Sequence, residues 1–190
     1  MPSISLTNPE NITDLTLDTS SEAKLGGNID LSKFTKLKYF RALGLDLNSV
    51  VGFEKLQDIQ FINISNNILA TDPLPSFHDT SLTHFYMKDP VQGPTDIVDG
   101  WSIPSSVVAF QATNSNLGQA KLKILTAFWD VFKDETGVRA TNRGALNFFG
   151  TGDNLGDSTL LLAPYADITV GEAKAKLISP AVKFIFVTGF

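Results

Sequence analysis

The sequence predicts an α/β solenoid: a curved parallel β-sheet with irregular loops on its convex side and two helices in its C-terminal part. Three observations carry that prediction. Apolar residues recur with first positions at 12, 37, 59, 82 and 107, at intervals of 25, 22, 23 and 25. Within each interval the pattern is a short strand followed by a turn, the unit of a coil that cannot bury its apolar side alone and stacks on its neighbours. Beyond residue 118 two stretches change to helical period. The 190 residues fit a single domain, 1–190, with short repeats over 12–117 and longer helix-containing repeats and a final strand over 118–190.

Taken in order, the first coil points Ile12, Leu15 and Leu17 inward and turns at Ser20. The second uses Leu37, Phe40, Ala42 and Leu47, with Leu45 at the turn. The third is the clearest: residues 59–69 read IQFINISNNIL, with Ile59, Ile62 and Ile64 inward and Asn67 at the turn. An asparagine suits that place because its amide satisfies backbone groups in the bend. Leu82, Phe85 and Met87 follow with Pro90 at the turn, then Val107, Phe110, Ala112 and Leu117 with Ser115. A weaker unit starts at Ala145 and continues through Phe148, Gly150 and Leu155, with Asp153 at the turn; Val182, Ile185 and Val187 close the series. The first helix is expected over 119–136, with Leu122, Leu125, Trp129 and Phe132 on one stripe, Ile124, Phe128 and Val131 beside it, and Gly137 as the stop. The second is expected over 169–179, begun by Asp167 or Thr169 and ended by Pro180.

Residues 59–69 match L-x-x-L-x-L-x-x-N-x-L at every position with Ile in place of Leu. The chain therefore resembles leucine-rich-repeat proteins, in particular the irregular type of bacteria and bacteriophages. The last third adds to the resemblance: Ile124-Leu125, then 144–148 (GALNF), then 150–154 (GTGDN), then the helix around 172–177 occur in the family's order. The final strand departs from it, since residues 180–184 (PAVKF) lack a Gly-Trp. The resemblance spans roughly 12–187. It implies a binding scaffold, of the kind found in phage tail-fibre and virion proteins or bacterial surface proteins.

Composition excludes several chemistries. With no cysteine there is no disulfide, thiolate metal site or cysteine nucleophile. A net charge of −5 is the wrong sign for a general nucleic-acid binder. No apolar run approaches the ~20 residues of a membrane span, so no membrane insertion is expected, and residues 1–6 do not read as a secretory signal. His78 and His84 lack partners at metal spacing. The loop 150–156 (GTGDNLG) is not a phosphate loop, because its third Gly is misplaced and no Lys follows. Asp153 and Asp157 are too few oxygens for calcium and read as solvated turn acids. The sequons at Asn11 and Asn63 read as accidental. The expectation is a protein that is not an enzyme and needs no cofactor or metal.

What remains is surface. Strand residues between the inward positions form ladders on the concave face. One is expected to run Asp14, Tyr39, Phe61, His84, Ala109, Asn147, Phe184, and the next Thr16, Arg41, Asn63, Tyr86, Gln111, Phe149, Phe186. Aromatic groups beside hydrogen-bonding ones suit recognition, so Tyr39, Arg41, Phe61, Asn63, His84, Tyr86 and Gln111 form the candidate contact surface. Phe184, Phe186 and Phe190, in an apolar end strand, form a candidate assembly edge. The expected function is that of a non-catalytic virion component (head decoration, tail or fibre) with other virion subunits, or a host-surface glycan, as partners. The alternative is a bacterial interaction protein, in the cytoplasm or at the cell surface, that binds a protein or glycan on its concave face.

Overall fold

A computed structural model describes residues 6–18, 24–69, 73–118, 120–148, 150 and 155–190. In chain order its elements are β1 (Asp14–Asp18), β2 (Asn28–Asp30), β3 (Tyr39–Leu43), β4 (Ser49–Val51), β5 (Phe61–Asn63), β6 (His84–Tyr86), β7 (Ala109–Gln111), α1 (Ala120–Phe132), β8 (Arg143–Asn147), α2 (Val170–Ile178) and β9 (Phe184–Thr188). Seven of the strands form one sheet in the order β1-β3-β5-β6-β7-β8-β9, and every neighbouring pair is parallel. Parallel neighbours cannot be joined by a hairpin. Each connection therefore returns through the opposite wall, and the chain is a parallel β-sheet solenoid with two helices.

That opposite wall is more regular than expected. β2 and β4 pair in parallel, and Leu74 bridges Ile97 in the same sense. Two strands of three residues each are too short to show an alternating signature in the sequence.

Stacking in register builds the core column by column. Leu37, Ile59, Leu82 and Val107 share one fully buried column, and Phe40, Ile62, Phe85, Phe110 and Leu146 share the next. Burial of one such side chain contributes about 1.5–3 kcal/mol. The rings also meet one another: Phe85 and Phe110 stack at 4.5 Å between centroids, and Phe128 of α1 meets Phe110 edge-on at 5.8 Å.

The turn after β5 behaves as its asparagine implied. Asn67 is wholly buried. Its Nδ2 donates to the carbonyls of Ala42 (2.8 Å), Ile64 (2.9 Å) and Ser65 (3.2 Å), and its Oδ1 accepts from the amides of Leu45 (3.0 Å) and Leu47 (3.2 Å). One side chain thus closes its own bend and ties it to the preceding coil. Ser115 does a smaller version, donating to Ala112 O at 3.0 Å; Ser20 lies outside the described residues. One position before the turns at Leu45, Asn67, Pro90 and Ser115 the backbone is left-handed, at Gly44, Asn66, Asp89 and Asn114. Only Gly, Asn and Asp occupy that place, the residues that tolerate it.

The two longest repeats depart from the expected register. First positions were expected at Ala145 and Val182; they are held by Arg143 and Phe184, which pair with each other in the sheet. Arg143 takes the place of an aliphatic residue in the first column, 1% exposed. It is kept there by bonds to carbonyls: Nε to Val182 (3.0 Å), Nη1 to Ser105 (2.9 Å) and to Val107. Glu135 supplies the counter-charge at 3.0 Å, and the guanidinium lies over the Phe132 ring at 4.4 Å. An arginine at a position that is apolar in the other coils carries no hydrophobic signal, so the true start of this strand is hidden in the sequence. Ile185 was expected inward and is 54% exposed, because the inward place at that level belongs to Val187, opposite Leu146.

The helices are shorter than or equal to expectation. α1 stops at Phe132, well before Gly137, and its buried line is Ile124, Leu125, Phe128 and Phe132, with Leu122, Trp129 and Val131 half-buried at its flanks. The expected stripe through Leu122 and Trp129 was rotated by about one position. α2 is as read: Thr169 caps it in a reciprocal box with Glu172, and Ser179 and Pro180 end it.

Candidate functional site

The open face of the sheet carries the candidate contact residues, and the register sets which of them meet. Asp14, Tyr39, Phe61, His84 and Ala109 form one row, and Thr16, Arg41, Asn63, Tyr86 and Gln111 the next. Beyond Ala109 the expected rows are corrected. Asn147 stands opposite Gln111, in the second row, and Phe186 stands opposite Ala145, in the first. Phe149 lies outside the described residues.

Tyr39, Arg41, Phe61, Asn63, His84, Tyr86 and Gln111 are all half-buried. Parallel register places like residues side by side, and here it produces an aromatic stack. Tyr39 and Phe61 are stacked at 4.4 Å with 8° between planes. His84 continues the row at 6.2 Å, and Tyr86 lies 5.6 Å from Phe61. Because Tyr39 and Phe61 use their flat sides on each other, they present edges to an incoming partner. Toward β1 the small Asp14 leaves a shallow depression, lined by Thr13, Lys38, Tyr39, Gln60, Phe61 and His84 among others.

The polar neighbours are partly committed. Arg41 pairs with Asp18 at 3.2 Å. The Oδ1 of Asn63 accepts from the Ser65 amide at 3.2 Å. Thr83 donates to Gln60 O (2.8 Å), so His84 Nδ1, 2.9 Å from the same hydroxyl, is the donor there and Nε2 carries the lone pair. Partial burial pushes the His84 imidazole below its ordinary value and the Tyr86 phenol above its own. Lys88 sits over the Tyr86 ring at 5.4 Å. Lys38, in the depression, is exposed, and Lys88 is half-buried. Neither lysine was among the sequence candidates. Both belong to rows adjoining the two aromatic ones, and their sign against an acidic whole was the signal available.

The candidate edge residues separate. Phe184 is 2% exposed and Phe190 1% exposed. Phe184 packs edge-on against Phe132 at 5.7 Å, and Phe190 meets Phe148 at 4.5 Å. Both belong to the core: Lys183 adopts a left-handed backbone (φ 59°) just before β9, where Phe184 takes the inward position, and Phe190, beyond β9, packs on Phe148. Phe186 is 60% exposed, and with Ile185 it is what the outer edge presents.

A second depression lies on the other wall, between α1, the segment 97–102 and the segment 162–165, with Trp101, Lys123, Asp130 and Tyr165 in its lining. Two of its three ionic groups, Lys123 and Asp130, are engaged within the protein. Asp130 binds Lys133 (2.8 Å) and the Tyr165 hydroxyl, which hold its carboxyl below the usual carboxylate range, and Lys123 binds Asp96 (2.6 Å). Asp157 pairs with Lys174 at 3.0 Å, while Asp153 lies outside the described residues. Among the described residues no three His, Cys, Asp or Glu side chains gather as a metal site would require, and no helix is long and apolar enough to cross a membrane.

No protein-family model matches the sequence, and neither a curated protein nor a solved structure matches it.

Proposed function

We propose that the chain is a non-catalytic binding scaffold of the leucine-rich-repeat type whose open sheet face recognises another protein. The observation that carries this reading is the ordered aromatic stack of Tyr39 and Phe61, continued by His84 and Tyr86 and flanked by Arg41 and Asn63. Rigid aromatic groups in half-buried positions are what protein hot spots are made of. A protein partner is favoured over a glycan because sugar recognition needs free ring faces, and here the ring faces are turned onto each other. The test is to pan a random-peptide library against the purified chain and to rebind the selected peptides to a Tyr39→Ala, Phe61→Ala variant shown to be folded. Loss of binding supports the reading. Selected peptides that bind the variant as well as the parent would remove it.

A second observation favours an assembly role, as in a virion. Ile185 and Phe186 are exposed side by side on β9, which pairs only with β8 among the described residues. Light scattering over a concentration series separates the roles. Association that Phe186→Lys abolishes supports assembly, and a concentration-independent monomer argues against it.

A further inference from the structure

Charge is segregated in this molecule in a way that specifies the partner's chemistry. The stretches 38–43, 60–65, 83–88 and 108–113 form the inner part of the open face; they contain Lys38, Arg41 and Lys88 and no Asp or Glu, in a chain of net charge −5. The pattern is local to these coils, since β1 next to them carries Asp14 and Asp18. Arg41 is occupied by Asp18, which leaves Lys38 and Lys88 as the cations available to a partner.

Their placement is as informative as their sign. Lys38 precedes β3, and Lys88 lies two residues beyond the end of β6, two strands across the sheet. Sheet geometry puts their Cα atoms about 19 Å apart on a diagonal, taking ~3.3 Å per residue along the strands and ~4.8 Å between them. The Tyr39–Phe61 stack and Tyr86 lie along that diagonal. Two cations thus bracket an aromatic strip, and an extended chain covers the distance in about six residues.

We infer that the open face takes an extended acidic segment of a partner protein, with two carboxylates about six residues apart on either side of apolar residues. This rests on the reading of the open face as a recognition surface and adds the chemistry of what it recognises. Lys38 and Lys88 would meet the carboxylates, and the aromatic strip the apolar residues between them. Complementary charge sets register and encounter rate, and the aromatic contact sets lifetime.

The experiment is fluorescence anisotropy with a labelled synthetic peptide carrying two glutamates at that spacing around a Leu/Phe centre, and with its twin bearing lysines instead. The acidic peptide is expected to bind, more tightly at low salt, and the basic twin is not. Lys38→Glu with Lys88→Glu, in a chain shown to be folded, is expected to weaken the acidic peptide by about tenfold or more and to admit the basic one. Equal binding of the two peptides, or no binding of either, overturns the inference. Charge-blind binding that Phe61→Ala still abolishes would overturn it while leaving the recognition surface standing. Binding indifferent to both sets of substitutions would remove the two together.

Discussion

Arg143 stands where every neighbouring coil has an apolar side chain, and the consequences are measurable. Its guanidinium joins Val107 of one coil, Val182 of another and Glu135 beyond the end of α1. Desolvation works against its charge and holds it below the ordinary arginine value. Truncating Arg143 leaves a cavity and takes the donor from the carbonyls of Ser105, Val107 and Val182, at a cost of about 2–5 kcal/mol, while Glu135 keeps access to water. Arg143→Ala is therefore expected to lower the unfolding free energy by about that amount in a denaturant titration; a loss under about 1 kcal/mol would show that the pairing does nothing the solvent could not. His84 makes a pH-dependent contribution. Its folded-state value lies below the ordinary 6.5 because burial disfavours the imidazolium. The unfolded chain therefore binds the proton more readily, and stability rises with pH through the window that ends near the ordinary value. Acidification through that window is expected to lower the urea midpoint. His84→Phe, which keeps a ring in the row, is expected to flatten that part of the profile, and an unchanged profile would show that the imidazole is not the group responsible.

At the scale of the element, the repeat is held by two devices, inward columns and left-handed turn residues, and only the first was read from the sequence. The columns were legible through Val107 because Leu, Ile and Phe recur at near-constant spacing, and the same spacing put Tyr39, Phe61 and His84 in one row. They ceased to be legible where α1 and α2 lengthen the coils, since helix length does not fix where the next strand begins. The arginine at the first position and the left-handed Lys183 before β9 then hid the true start of both late strands. The turn device, with Asn66, Asp89 and Asn114 in equivalent places, was visible in the residue types and went unused. It has its own test at Asn66, which is exposed and left-handed at φ 59°. Asn66→Gly is expected to leave stability within about 0.5 kcal/mol, since glycine adopts that conformation freely. Asn66→Val is expected to cost about 1–2 kcal/mol, because a β-branched side chain meets the carbonyl there. Equal effects in thermal melts would mean that the backbone conformation at this turn is not what the residue type serves.

Across the whole molecule, each coil touches chiefly its neighbours, and the sheet order follows the chain from β1 to β9. Stability in such an array is a sum of coil terms and interface terms, so position along the stack decides what an injury does. Ile62 is wholly buried in β5, between β3 and β6. Ile62→Asp would strand a charge in the core with no partner, which the protein cannot offset. Leu15 lies in β1, half-buried, with β3 as its neighbour. Leu15→Asp removes one terminal interface and lets its charge reach water. Hydrogen exchange read by mass spectrometry is expected to separate the two cases. Ile62→Asp should abolish protection across the sheet. Leu15→Asp should abolish it in β1 and leave β5 to β9 near the parent values. The parent itself should show a gradient, with amides of β5 and β6 slower than those of β1. That gradient matters for recognition, because the aromatic stack sits on β3, β5 and β6, inside the terminal strand β1. A partner would then meet a surface ordered before it arrives, with little conformational entropy left to lose on binding. Uniform loss of protection from Leu15→Asp would show instead that the coils fold as one indivisible unit, and the additive account of the solenoid would fail.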